Sequence, residues 1–124
     1  VLVDTSVWID HLRNGNDRLA RQLDSGDVLT HPCVLGELAC GRLTRRAEIL
    51  AMFRSLPVAS CATDDEVLGY LETHGLHGSG IGWIDAHLLA AASLSGTKLW
   101  TLDRSLARVA WKLGLGVTSP SSGR

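Results

Sequence analysis

The chain switches repeatedly between short apolar runs and helical spacing. Residues 1–3, VLV, form a continuous apolar run suited to a buried strand. Ser6 to Leu12 reads as a helix that Asn14-Gly15-Asn16 breaks. Asp17 to Leu23 predicts a second helix, capped by Asn16 or Asp17, with Leu19, Ala20 and Leu23 at helical spacing. After the turn at residues 24–27, Val28 to Thr30 makes a second strand that Pro32 stops. Val34 to Leu43 predicts a helix carrying Glu37, and Ala47 to Arg54 another. Pro57 to Ala62 is a candidate third strand. Thr63 and Glu66 form a capping box that opens a helix running to His74 and closed by Gly75. A glycine-rich loop, Gly75 to Gly82, leads into the strongest helical segment, Asp85 to Leu94, stopped by Gly96. Lys98 to Leu102 is a fourth strand, Ser105 to Leu113 a last helix, and residues 114–117 a final short strand.

Strands alternating with helices predict an α/β protein, with a parallel sheet of four to five strands and helices on its faces. A length of 124 residues fits one domain. It is expected to span residues 1–117, with the polar tail TSPSSGR at 118–124 fraying. No apolar run approaches the roughly 18 residues that cross a membrane. The opening VLVD is not a basic-plus-apolar signal, so a cytoplasmic location is expected. Cys33, Cys40 and Cys61 form no CxxC pair and are odd in number, so they are expected to be buried small apolar residues.

Charge narrows the chemistry. Twelve basic and 13 acidic residues leave a net charge of −1, so nucleic acid cannot be held by bulk charge and would need a local site. Most of the acids have ordinary explanations. Asp17, Asp24, Asp27, Asp64, Asp65 and Glu66 fall at turns or helix starts. Glu48, Glu72 and Asp10 read as solvated helix residues. Asp4, Glu37, Asp85 and Asp103 remain.

Asp4 and Asp103 each follow an apolar strand directly. In open parallel sheets the ligand crevice lies outside the carboxyl ends of the strands. Asp85 begins a helix after the glycine-rich loop, and Glu37 lies in the early turns of the helix after the second strand, so all four can meet at one sheet edge. Taken singly, Asp4 and Asp103 read equally as helix caps, Asp85 as a first-turn residue favoured by the dipole, and Glu37 as a solvated side chain. Four neighbouring carboxylates repel unless a cation neutralises them. Mg²⁺ or Mn²⁺ prefers oxygen ligands, and such an ion can activate water for attack on a phosphodiester. No His/Cys cluster suggests zinc.

The runs VDTSVWIDHL, HPCVLGELACG, GIGWIDAHLLAAA and LWTLDRSLARVA resemble, in order and over nearly the whole chain, the motif blocks of PIN-domain nucleases, and most of all VapC toxins of toxin–antitoxin pairs. The resemblance implies a three-layer α/β/α sandwich and Mg²⁺- or Mn²⁺-dependent cleavage of RNA. It also implies a VapB-like antitoxin that blocks the site, and a homodimer. Asp4, Glu37, Asp85 and Asp103 match the four acids in turn, with Glu37 expected to act through water. Ser6 and Thr101 match hydroxyls that would support the metal ligands. Arg104 and Arg42 are the candidate phosphate contacts, ahead of Arg13, Arg45 and Arg46. His31 and His87 are not needed as bases beside a metal. The tryptophans are candidates to stack bases, although most should serve packing.

Two other classes compete. A phospho-acceptor signalling domain needs a lysine near its aspartates, but Lys98 begins its strand and would sit at the opposite sheet end from Asp103. A haloacid-dehalogenase-type phosphatase needs a second aspartate two residues after the first, where Ser6 stands. A non-catalytic binding module would not need the complete acid set.

Overall fold

The computed structural model describes residues 1–117; the polar tail at 118–124 lies outside the described residues. Two strands, β1 (Leu2–Val3) and β2 (Leu99–Trp100), pair in parallel with Leu2 opposite Leu99 and Val3 opposite Trp100. Seven helices surround them among the described residues. These are α1 (Thr5–Asn14), α2 (Asp17–Asp24), α3 (Pro32–Cys40), α4 (Arg46–Ser55), α5 (Asp64–Thr73), α6 (Trp83–Ser95) and α7 (Arg104–Lys112). An α/β fold is therefore present.

The other expected strands appear as single parallel bridges. Leu29 pairs with Leu2, Val58 with Thr30, and Gly116 with Leu99. Backbone hydrogen bonds mark the same sequence of neighbours: Leu29 N–H to Val1 O at 2.8 Å, Thr30 N–H to Pro57 O at 2.8 Å and Leu99 N–H to Leu115 O at 2.7 Å. Within the segment at 57–62 the pairing is confined to the neighbourhood of Val58. Thr30 bonds Pro57 and Ala59, and the chain then leaves for the cap of α5.

The core forms where apolar stripes converge on this pairing. Leu2, Val3, Leu99 and Trp100 are all buried. α6 buries every residue from Ala86 to Ala92, as a central helix covered on several sides must. Val7 and Trp8 of α1 and Leu106 of α7 enter the same cluster, and Trp8 packs on Phe53 of α4 with ring centroids 4.3 Å apart.

Helix starts follow local chemistry. Asn16 caps α2 by accepting the Leu19 N–H at 2.9 Å. The Thr63–Glu66 box is closed from both sides, at 2.8 and 3.1 Å. α3 begins two residues earlier than expected and ends three residues sooner. Pro32 serves as its first residue, where a missing N–H costs nothing, and His31 caps it through Nδ1. The cysteines depart from expectation. Cys40 and Cys61 are exposed and Cys33 is half-buried, because the buried stripe of α3 runs through Val34 and Leu38 and leaves the cysteines beside it.

Candidate metal centre

Asp4 is the point where the sheet becomes the site. Its N–H still bonds Trp100 O, at 2.9 Å, while its side chain caps α1. The carboxylate is buried, and its Oδ2 accepts from Thr101 Oγ1 and Ser6 Oγ, each at 2.7 Å, and from the Ser6 N–H at 3.4 Å. Both hydroxyls also accept a backbone N–H. Leu102 N donates to Ser6 Oγ at 2.9 Å, and Asp103 N donates to Thr101 Oγ1 at 3.0 Å. Each hydroxyl proton is already used on Asp4, so the 3.3 Å approach of the two hydroxyl oxygens is packing. Ser6 and Thr101 thereby stitch the end of β1 to the loop after β2. That loop delivers Asp103, which caps α7 through Oδ1 to the Leu106 N–H at 3.0 Å.

Asp85 and Glu37 approach from α6 and α3. Asp85 Oδ2 accepts the Gly82 N–H at 3.1 Å, half of a capping box to which glycine cannot reply. Glu37 is exposed, and its Oε1 accepts the buried Thr5 hydroxyl at 2.6 Å. Thr5 is a residue that sequence reasoning missed. Its place directly after Asp4 was the available signal, but its partner lies 32 residues away.

Asp85 lies within reach of the charges of the other three acids. Burial pushes the Asp85 carboxyl above the usual range, the Gly82 N–H works against that, and the charges of Asp4, Asp103 and Glu37 push it further up. Ion pairs seen among the described residues, Arg45 with Glu48 and His87 with Asp64, touch none of them. Each acid has one oxygen in protein hydrogen bonds and a second that accepts none among the described residues: Asp4 Oδ1, Glu37 Oε2, Asp85 Oδ1 and Asp103 Oδ2. Among those residues no three His, Cys, Asp or Glu side chains are gathered as a ready ligand cage. The donors are hard oxygens spread round a rim. That set fits Mg²⁺, which keeps several waters and takes only one or two carboxylates directly, better than a cation that needs an all-protein cage.

The other candidates separate. Arg104 lies exposed in the first turn of α7, next to Asp103, and Arg42 is exposed just beyond α3. Arg13 is exposed in the last turn of α1. Arg46 closes the end of α3 by donating to Ala39 O at 2.5 Å and Gly41 O at 3.1 Å, while Arg45 is paired with Glu48. His31 is buried as the cap of α3, and its pKa is lowered by burial and by His87. His87 is buried against Asp64, 3.3 Å away. Lys98 Nζ bonds Gly114 O at 2.8 Å, at the start of β2, which removes it from Asp103 as the signalling-domain reading requires it not to be. A cavity of about 620 Å³ also lies at that end, lined by Val1, Arg18, Lys98 and Trp111 and by none of the four acids.

Parallel pairing, helix starts at its carboxyl edge and a rim of four half-engaged carboxylates describe one class of protein. The chain belongs to the PIN-domain family, whose profile matches residues 1–112. Within it the chain is of the VapC type. It is 37% identical over 123 residues to Ribonuclease VapC32 of Mycobacterium tuberculosis, in strains CDC 1551 / Oshkosh and H37Rv, with 98% of this chain and 99% of the relative covered. The fold is also similar to the crystal structure of PAE2754 from Pyrobaculum aerophilum. The TM-score is 0.58 at 19% identity, over 91% of this chain and 88% of that one.

Proposed function

We propose that this chain is a metal-dependent endoribonuclease and the toxin of a toxin–antitoxin pair. The observation that carries the reading is the set of four carboxylates, each with one oxygen held by the protein and one that accepts no hydrogen bond among the described residues, and with Asp85 raised by burial and then by the charges of the other three. Kinship with a ribonuclease over nearly the full length supports it. Asp4, Glu37, Asp85 and Asp103 would hold Mg²⁺, with Mn²⁺ as a substitute. When bound, such an ion supplies charge neutralisation at a phosphodiester and activation of water.

The chain's own residues do the positioning. Thr101 and Ser6 fix the Asp4 carboxylate through two short hydrogen bonds, and Thr5 fixes Glu37. The Leu106 and Gly82 N–H groups orient Asp103 and Asp85. Arg104, and more remotely Arg42, would meet phosphate oxygens of the RNA. We place residues 1–117 in one domain, a three-layer α/β/α sandwich whose sheet extends through the bridges at Leu29, Val58 and Gly116. A VapB-like antitoxin that covers the crevice, a homodimer and a cytoplasmic location complete the proposal. No helix among the described residues is long and apolar enough to cross a membrane.

The test is cleavage of a mixed cellular RNA pool by purified protein. Discrete cuts are expected with Mg²⁺ or Mn²⁺, and none with EDTA or with Asp4→Asn, which keeps the capping acceptor. Undiminished cutting by Asp4→Asn, or in EDTA, overturns the proposal.

A further inference from the structure

We propose that Trp83 is a stacking platform for a nucleobase beside the phosphodiester that the acidic crevice receives. This rests on the ribonuclease reading and specifies how the substrate is gripped. Trp83 is the first residue of α6, two before Asp85, and it is 44% exposed while Ala86 to Ala92 behind it are buried. Of the four tryptophans, Trp8 and Trp100 are buried, and Trp111 lines the cavity at the opposite sheet end with Lys98. Trp83 is therefore the tryptophan that stands open at the edge holding the acids.

The ring is held in place. His87, one turn on, packs perpendicular to it, with centroids 4.6 Å apart and planes at 89°. His87 is anchored by Asp64 at 3.3 Å and packs on His31 at 6.3 Å. His31 caps α3, the helix that carries Glu37. This row of rings fixes Trp83 relative to the two helices that present Glu37 and Asp85. A rigid aromatic surface beside a catalytic rim orders a flexible single strand at little entropic cost.

Charge balance makes such a platform useful. The chain carries 12 basic and 13 acidic residues, and its crevice gathers four carboxylates, so attraction for the RNA backbone is weak. Stacking on an aromatic face does not depend on net charge. Per base it changes affinity by about 5- to 150-fold.

The experiment uses an oligoribonucleotide spanning a mapped cut site, and a set in which each flanking nucleotide in turn is replaced by an abasic ribose. Trp83→Ala is expected to raise KM for the intact substrate about 5- to 150-fold with kcat little changed, and Trp83→Phe to recover most of the loss. One abasic position should reproduce that rise in the wild type and add less than about twofold in Trp83→Ala. Independent losses at every position, or an unchanged KM with an unchanged melting temperature, overturn the proposal. So does a Trp83→Ala variant that weakens only inhibition by a protein partner. A second arm needs no cleavage. In Asp4→Asn, single-stranded RNA should quench tryptophan fluorescence, and the added Trp83→Phe should remove more than half of that quenching while anisotropy still reports binding. Failure of the ribonuclease reading shows as wild type that cuts no RNA. Failure of the platform shows as quenching that survives Trp83→Phe.

Discussion

Thr101→Val removes one hydroxyl while keeping the side chain's shape, and the structure assigns that hydroxyl two bonds. It donates to Asp4 Oδ2 at 2.7 Å and accepts the Asp103 N–H at 3.0 Å. A hydrogen bond to a charged group contributes about 1.5–3 kcal/mol. Thr101 is half-buried and Asp103 exposed, so water can replace the partner of the Asp103 N–H, and the loss should fall near the lower end, about 1.5–2 kcal/mol. For a chain of 124 residues the unfolding entropy converts this to a fall in Tm of about 6–8 °C. Groups that orient metal ligands typically change metal affinity or activity by about 10- to 100-fold, so the Mg²⁺ midpoint for RNA cleavage should rise by that factor. Thr101→Ser should restore both. Ser6→Ala removes the other hydroxyl on the same oxygen. The double variant should therefore depart from additivity by more than about 0.5 kcal/mol. A Thr101→Val protein with wild-type Tm and wild-type Mg²⁺ midpoint would refute the reasoning outright, because the stitch between Asp4 and Asp103 would then contribute nothing.

Three further outcomes are expected. Asp85 has its pKa raised by burial and then by its acidic neighbours, so the folded state binds its proton more tightly than the unfolded chain, whose value is about 3.9. Stability is therefore lost as pH rises from there through the folded value, and Asp85→Asn should melt higher than wild type at pH 7 in EDTA, with the gain vanishing in acid and RNA cleavage abolished; a variant that melts lower at pH 7 contradicts the electrostatic account. His31 has its pKa lowered by burial and then by His87, so acidification below about 6.5 protonates the unfolded chain first. The fall in Tm from pH 7 to 5 should be shallower in His31→Asn, which keeps a capping acceptor, and an identical slope counts against it. Wild-type protein at about one hundred times its Mg²⁺ Kd should gain about 2.7 kcal/mol, read as a Tm rise near 10 °C that Asp85→Asn lacks.

Local signals were the legible part of this chain. The Thr63–Glu66 box and the Asn16 cap depend on residues a few positions apart, and both stand as read. Helix ends moved where one residue had two uses. Pro32 ends a strand and also starts α3, so α3 begins at Pro32. Pairing was harder to see, because it depends on partners far away in the sequence. VLV and KLWTL are neighbours, yet among the described residues the regular pairing spans only Leu2–Val3 with Leu99–Trp100, and the remaining candidates touch at single bridges. Burial of the cysteines was misjudged for a similar reason. Cys33 lies beside Val34 on α3, but only one of the two falls on the buried stripe. Thr5 escaped notice because the Glu37 carboxylate it holds is distant in the chain.

At the site the alternatives posed by the sequence do not exclude one another. Capping and metal binding looked like competing explanations for Asp4, Asp85 and Asp103. Asp4 and Asp103 do cap α1 and α7, and Asp85 does bond the Gly82 N–H at the start of α6. A cap engages one carboxylate oxygen and turns the side chain toward the helix start, which leaves the other oxygen for a ligand. The positive ends of those helices also favour negative charge, each by about 0.3–1 kcal/mol, which offsets part of the repulsion among neighbouring acids. Helix starts at the carboxyl edge of a parallel sheet can therefore hold several carboxylates in a rim. Glu37 tests the rule by exception. It lies beyond the first turn of α3, whose start is capped by His31, and it takes a hydroxyl from Thr5 instead of a helix N–H. Thr5→Val should accordingly weaken metal-dependent cleavage through Glu37 alone, while Thr101→Val acts through Asp4. The two effects should add in the double variant, and strong coupling between them would mean that the rim moves as one unit.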